Sequence, residues 1–179
     1  MLWLDSFGPE PGRVEIEVAP IGLLKQRCTQ RGDHYASLDL RPGAAEICGD
    51  LCLAPLRDRA VDLLVCFHVL EHVPEDHTAM AEIERVLSDE GLAILSVPWN
   101  TDLQQTFEDP DADPADFERL YGQRDHVRMY GRDFSERLRS AGLAVEEQIW
   151  TDLFTTGQIA VHALAGSDDR FWICRRDPK

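Results

Sequence analysis

The chain has 179 residues, 44% of them hydrophobic and 28% charged, a balance that fits one globular domain and excludes a disordered chain. Acids outnumber bases 33 to 18, a formal net charge of −15, and so negative a surface repels phosphate backbones and anionic lipid, so neither a nucleic acid nor a membrane is expected as a partner. No apolar run approaches the roughly 20 residues of a membrane helix, the start Met1-Leu2-Trp3-Leu4-Asp5 lacks the regions of a signal peptide, and five cysteines in no framework spacing (Cys28, Cys48, Cys52, Cys66 and Cys174) read as buried reduced thiols in a cytoplasmic protein.

Residues 1–12 read as a short leader closed by Gly8-Pro9-Glu10-Pro11-Gly12. Residues 13–179 read as a single domain with an insert at about 98–130. Arg13 to Val18 alternates and predicts a strand. Pro20 suits a helix start, and a helical pattern continues to Gly32. His34 to Leu40 predicts a second strand and Ala45 to Asp50 a short third. Val61 to Phe67 is an apolar run of the kind a parallel strand needs when both its faces are covered. Pro74 opens a helix with Met80, Ile83, Val86 and Leu87 on one face. Ser88-Asp89-Glu90-Gly91 is expected to stop it, and Leu92 to Val97 to form the next strand. Asp133 to Ala141 predicts a helix closed by Gly142. Leu143 to Trp150 and Arg170 to Cys174 predict the last strands. Alternating strands and helices with short connections point to an α/β fold with a mostly parallel sheet, whose ligands sit at the carboxyl ends of the strands.

Those ends carry a consistent set of residues. Ala19 and Gly22 are small enough to let a cofactor approach the first turn, although Pro20 and Ile21 are not. Asp39 follows the first turn by about 20 residues, the spacing at which an acid accepts hydrogen bonds from ribose hydroxyls. Asp50 could accept from an adenine amine or simply serve a turn. His68 and His72 are four apart and share a helix face, which is also metal-ligand spacing. Glu71 is not placed as in H-E-x-x-H, however, and no third ligand is evident, so no metal site is expected.

The stretch from Gly49 to Pro98, with "PLRDRAVDLLVC", "HVLEHV", "AMAEIERVL" and "DEGLAILSVP", resembles class I S-adenosylmethionine-dependent methyltransferases of the methyltransferase type 11 group. The block from Gly122 to Phe134, GQRDHVRMYGRDF, looks like a segment of one bacterial subgroup in which the first strand ends in an Ala-Pro turn. The resemblance spans roughly residues 13–175. It implies a Rossmann-like sheet of seven strands, the last of them antiparallel, with helices on both faces. It also implies S-adenosylmethionine as cofactor and S-adenosylhomocysteine as product. Glu17, Ala19, Pro20 and Gly22 would flank the methionine part and Asp39 and Leu40 the ribose. Asp50 and Leu51 would contact adenine, and Cys66, Phe67 and His68 would line the far wall. Ile21 departs from the usual glycine. Glu15 and Glu17 lie in a strand that should be buried, so that strand is either partly exposed or turns Glu17 towards the cofactor's ammonium.

Methyl transfer needs a positioned nucleophile and, for an O–H or N–H group, a base. His68, His126 and His72 are the candidates. Residues 101–120 hold seven acids against Arg119 alone and read as a solvated acidic lid. Arg124, Arg128 and Arg132 follow, with Tyr130 among them. If these arginines face a substrate, it carries an acidic group; otherwise they neutralise the insert. Trp99, Asn100 and Tyr130 could form a substrate wall or core. The sequence thus points to methyl transfer onto a small metabolite. The alternatives are a cofactor-retaining enzyme of another reaction type, such as a cyclase, and a non-catalytic binding module. With so short a leader, the insert or a second copy in a homodimer would have to cover the cofactor.

Overall fold

The computed structural model describes residues 12–20, 25, 34–149 and 170–178. Seven strands form one sheet: β1 (Val14–Val18), β2 (His34–Asp39), β3 (Ile47–Cys48), β4 (Val61–Phe67), β5 (Leu87–Ser96), β6 (Leu143–Ile149) and β7 (Arg170–Arg176). Their order is β3-β2-β1-β4-β5-β7-β6. β1 to β5 run parallel, and β7 enters antiparallel between β5 and β6. The mostly parallel sheet with an antiparallel last strand is therefore present. The order reverses between β1 and β4, and a crevice opens at such a switch point.

The apolar run of β4 is buried almost throughout, as a central parallel strand demands. Among the described residues the α-helices are α1 (Asp76–Val86), α2 (Phe117–Tyr121) and α3 (Phe134–Ser140). Helix α1 buries Ala79, Met80, Ile83 and Val86, the stripe its spacing predicts. Gly142, at φ +93°, follows α3 in the left-handed conformation that closes a helix. The helix expected from Pro20 to Gly32 falls almost wholly outside the described residues, as does Trp150.

Several expectations are corrected. The third strand is shorter than Ala45 to Asp50. Leu87 does not end α1: its backbone is already extended, and it pairs with Val61. Ser88 to Gly91 is no helix stop but part of β5, accommodated by a register shift between Val61 and Leu63. A Cβ on Gly91 would lie 2.5 Å from the Val61 carbonyl oxygen, so the close passage of the two strands requires glycine there. Cys66 and Cys174 are buried free thiols, but Cys48 is exposed and Cys52 half-buried. Both Glu15 and Glu17 are buried within β1, which rules out a partly exposed strand.

Residues 98–130 fold back on themselves through two isolated bridges, Trp99 with Tyr130 and Phe107 with Met129. A buried ionic network fastens them. The Arg137 guanidinium donates to both oxygens of Asp76, each at 2.8 Å, and to Glu108 at 2.9 Å. The Tyr130 hydroxyl donates to Asp76 at 2.9 Å. Arg128, 1% exposed, donates to Glu108 at 3.1 Å and to the carbonyls of Leu70 (2.9 Å), Pro74 (2.8 Å) and Val73. It thereby ties the insert to the turn that follows β4.

Candidate active site

A cleft of about 510 Å³ opens at the switch point, within the ordinary range for ligand sites, about 300–1,000 Å³. Its wall is made by the ends of β1, β2 and β4, the turn after β3 and the segment after β4: Val18, Ala19, Leu38, Asp39, Leu40, Arg41, Gly49, Asp50, Leu51, His68, Val69, His72, Val73 and Asp125. The strands end abruptly here. Ala19 (φ +46°) and His68 (φ +54°) both adopt left-handed backbone directly after β1 and β4, a strained conformation for residues with a side chain. Ala19 donates its N–H to the Leu38 carbonyl at 2.8 Å, and His68 donates to Ser96 at 2.9 Å. These bonds offset part of the strain and turn both chains away from the crevice floor.

Asp39 is 6% exposed at the end of β2. Its carboxylate accepts from the Arg41 guanidinium at 3.1 and 3.0 Å and from the Arg41 backbone N–H at 2.8 Å. The Arg41 hydrogen bonds hold the Asp39 carboxyl below the usual range, outweighing burial. Arg41 itself is largely exposed, so it covers the carboxylate from the solvent side. Asp50 spends one oxygen on the Cys52 backbone N–H at 2.8 Å, capping the 3₁₀ turn Leu51–Leu53. Leu51 is buried, and Leu40 is 68% exposed at the rim. The lining thus mixes the carboxylates of Asp39, Asp50 and Asp125 and the imidazoles of His68 and His72 with apolar Val18, Leu38, Leu51, Val69 and Val73.

The remaining expected cofactor residues are distributed differently. Glu17 does not line the cleft; its carboxylate accepts from the Tyr35 hydroxyl at 2.9 Å inside the sheet, and burial and this bond push the Tyr35 phenol up. Pro20 adjoins the cleft through Ala19, while Gly22 falls outside the described residues. Cys66 and Phe67 end β4, Cys66 buried and Phe67 half-buried. Burial, then the Glu71 carboxylate, push the Cys66 thiol up, which leaves it unsuited to act as a nucleophile.

The three histidines part company. His68 is half-exposed at the cleft, its Nδ1 3.4 Å from Glu71 Oε1. His72 also lines the cleft and donates from Nδ1 to the Asp125 carbonyl at 3.0 Å. His126 is 2% exposed behind it, packed edge-on against the His72 ring at 4.7 Å, so it does not reach the cleft.

The arginines do not assemble into an anion clamp. Arg124 pairs with Glu118 at 2.8 Å on the surface, and Arg132 donates to the Thr101 carbonyl at 2.7 Å. Arg128 is consumed by the network above. Tyr130 is fully buried on Phe134. Trp99 packs edge-on against Trp172, with the Arg170 guanidinium 4.6 Å from its ring. Asn100 is exposed and caps the Asp102 N–H at 2.9 Å. Sequence reasoning missed Arg41 and the roles of Arg128, Asp76 and Asp125. Arg41 was within reach, two residues past a flagged carboxylate. The others depend on partners more than 50 residues away.

No curated protein matches the chain. Residues 14–95 match the family described as "Methyltransferase domain". Among solved structures, the chain is similar to Burkholderia thailandensis 1,6-didemethyltoxoflavin-N1-methyltransferase, solved with 1,6-didemethyltoxoflavin and S-adenosylhomocysteine bound (15% identity, 98% of this chain and 76% of that one, TM-score 0.67). It is also similar to the [4+2]-cyclase SpnF (14%, 98% and 79%, 0.67) and to the Bacillus subtilis protein YcgJ (13%, 98% and 97%, 0.64). The strand order with its reversal and the matched stretch agree: the chain has the fold of these solved structures, and its residues 14–95 match the methyltransferase-domain family.

Proposed function

We propose that the chain binds S-adenosylmethionine in the switch-point cleft and transfers its methyl group to a small molecule. The observation that carries this is Asp39, a buried and ionised carboxylate at the end of β2, lining a cleft beside apolar Leu38, Leu51 and Val69. A carboxylate offers about four lone-pair directions, so a ribose diol can be held there, with Arg41 sharing the carboxylate or swinging into solvent. Leu38, Leu51 and Val69 supply a flat surface for adenine, with Asp50 at its edge. Ala19, with Pro20 next to it in the chain, borders the place for the methionine part. The cofactor supplies an activated methyl on a sulfonium. The chain's work is to orient the nucleophile in line with that methyl and to exclude water. His68 stands at the mouth between β4 and the segment after it, where it can take the proton that an O–H or N–H nucleophile releases. The net charge of −15 argues for a small metabolite over a nucleic acid.

A second reading has one specific observation behind it. The Arg41 side chain occupies the carboxylate expected to hold the ribose, as suits a domain that has kept the fold and lost methyl transfer. The similarity to a cyclase likewise ties the fold to more than one chemistry. Calorimetry with S-adenosylmethionine and S-adenosylhomocysteine decides. We expect 1:1 binding, weakened about 10–100-fold in Asp39→Ala, as losing hydrogen bonds to a charged group entails. No binding at millimolar ligand would leave the non-catalytic reading, and unchanged affinity in Asp39→Ala would remove the ribose assignment. His68→Asn should lower turnover with little change in cofactor affinity.

A further inference from the structure

Behind the cleft wall the fold brings together Glu71, His72 and His126, with one potential ligand atom from each within 4.8 Å of the others. Glu71 is fully buried, and neither of its carboxylate oxygens has a hydrogen-bond partner. His68 Nδ1 stands 3.4 Å from Glu71 Oε1, an ion pair when that imidazole is protonated, but it makes no hydrogen bond to it. A buried carboxylate left this way costs several kcal/mol unless a cation or a proton compensates it.

The two histidines are set up in the same manner. His72 Nδ1 faces the Asp125 carbonyl at 3.0 Å, and His126 Nδ1 faces the Tyr121 carbonyl at 3.1 Å. A carbonyl only accepts, so each Nδ1 carries the hydrogen and each Nε2 is left with a free lone pair. Fixing a histidine's tautomer through a backbone carbonyl is the way proteins orient metal-binding imidazoles. The edge-on packing of the rings at 82° keeps both in place.

We infer that Glu71, His72 and His126 form a binding site for one divalent transition-metal ion of the zinc type. The donor set, two imidazole nitrogens and one carboxylate oxygen, suits zinc and disfavours calcium and magnesium, which take oxygen ligands. A tetrahedral ion with bonds of about 2.0–2.1 Å holds its ligand atoms about 3.3 Å apart, so the three side chains close on it. Three protein ligands leave one position open. His72 is the ligand that also lines the cleft, so the ion would sit in the wall of that cleft. It would also staple the insert, which contributes His126, to the turn after β4, which contributes the other two. Spacing along the chain could not show this site, because its third ligand lies 54 residues beyond His72.

The test uses the full chain carrying Cys28→Ser, Cys48→Ser and Cys52→Ser, so that none of these three thiols competes, and needs no cofactor. After chelation and dialysis, Zn²⁺ is titrated by calorimetry and Co²⁺ by visible absorption. We expect one equivalent of Zn²⁺ with micromolar or tighter affinity, tetrahedral cobalt bands, and a rise in Tm with Zn²⁺. Glu71→Gln and His126→Ala should each weaken Zn²⁺ binding at least about 100-fold, while His77→Ala, outside the cluster, should not. Should either variant fail to fold, His72→Ala, at a half-exposed residue, serves the same purpose. Absence of stoichiometric Zn²⁺ binding, or binding indifferent to the ligand substitutions, overturns the proposal. Because the readout is metal alone, failure here leaves the cofactor reading untouched, and the reverse holds.

Discussion

The strands β1, β2 and β4 and the insert at residues 98–130 stand side by side in this molecule and are held by opposite means. The strands owe their positions to runs of buried aliphatic side chains such as Ile16, Val18, Leu38, Leu63 and Leu64. The insert has little regular structure, and charge fastens it: Asp76, Glu108, Arg128 and Arg137, with Tyr130 between them. Burial of apolar area is non-directional and tolerates adjustment. A buried ionic network has one good geometry, and it fails when a member is lost. The frame of the cleft is thus robust, while the segment that covers its rim is specified atom by atom.

The comparison is broken hardest by Arg128→Met. Removing the guanidinium leaves Glu108 and three carbonyls short of their donor and should cost about 3–5 kcal/mol, read by urea denaturation. Residues 98–130 should become the first site of limited proteolysis. Leu64→Ala in β4 should cost a similar 2–5 kcal/mol but lower the whole transition without exposing the insert first. If the two variants gave the same proteolysis pattern, the two regions would not be separate in their energetics.

A smaller effect sharpens the picture at the cleft. Arg41 holds the Asp39 carboxyl below its ordinary value. The ionised form, which would accept from a ribose in the proposed complex, persists as pH falls through the usual carboxylate value of about 3.9 and is lost only below it. Arg41→Ala lets that pKa rise, so the acid-side loss of S-adenosylmethionine binding should move to higher pH. Calorimetry between about pH 3.5 and 6, the range around ordinary carboxylate titration, checks this, and an unmoved acid limit would mean that Arg41 does not control the carboxylate. The smallest change is expected for Arg124→Ala: its pair with Glu118 is exposed, and stability should stay within about 0.5 kcal/mol.

Much of the fold was legible in the residues. VDLLVCF marked β4 to the residue, because a strand covered on both faces is almost entirely apolar; Asp62, half-buried near its start, is the one exception. The α1 stripe was equally plain. The junction at Leu87 to Gly91 was not, since polar Ser88, Asp89 and Glu90 resemble a turn, and their strand pairing depends on the approach of Val61. At the site, Asp39 could be read from its distance to the first turn. Its pairing with Arg41, and the withdrawal of Glu17 onto Tyr35, could not.

Alone, the order of residues determined which segments are strands, that the sheet is mostly parallel, and where a ligand crevice must open. Periodicity and apolar runs are local, and they record how each segment meets a core. Only the tertiary structure decided that Arg128 is a buried tie rather than a substrate clamp, and that His126 stands beside His72 and Glu71. Those outcomes depend on groups 50 or more residues apart meeting in space, and no short-range pattern encodes which distant partner a charged or imidazole group will find.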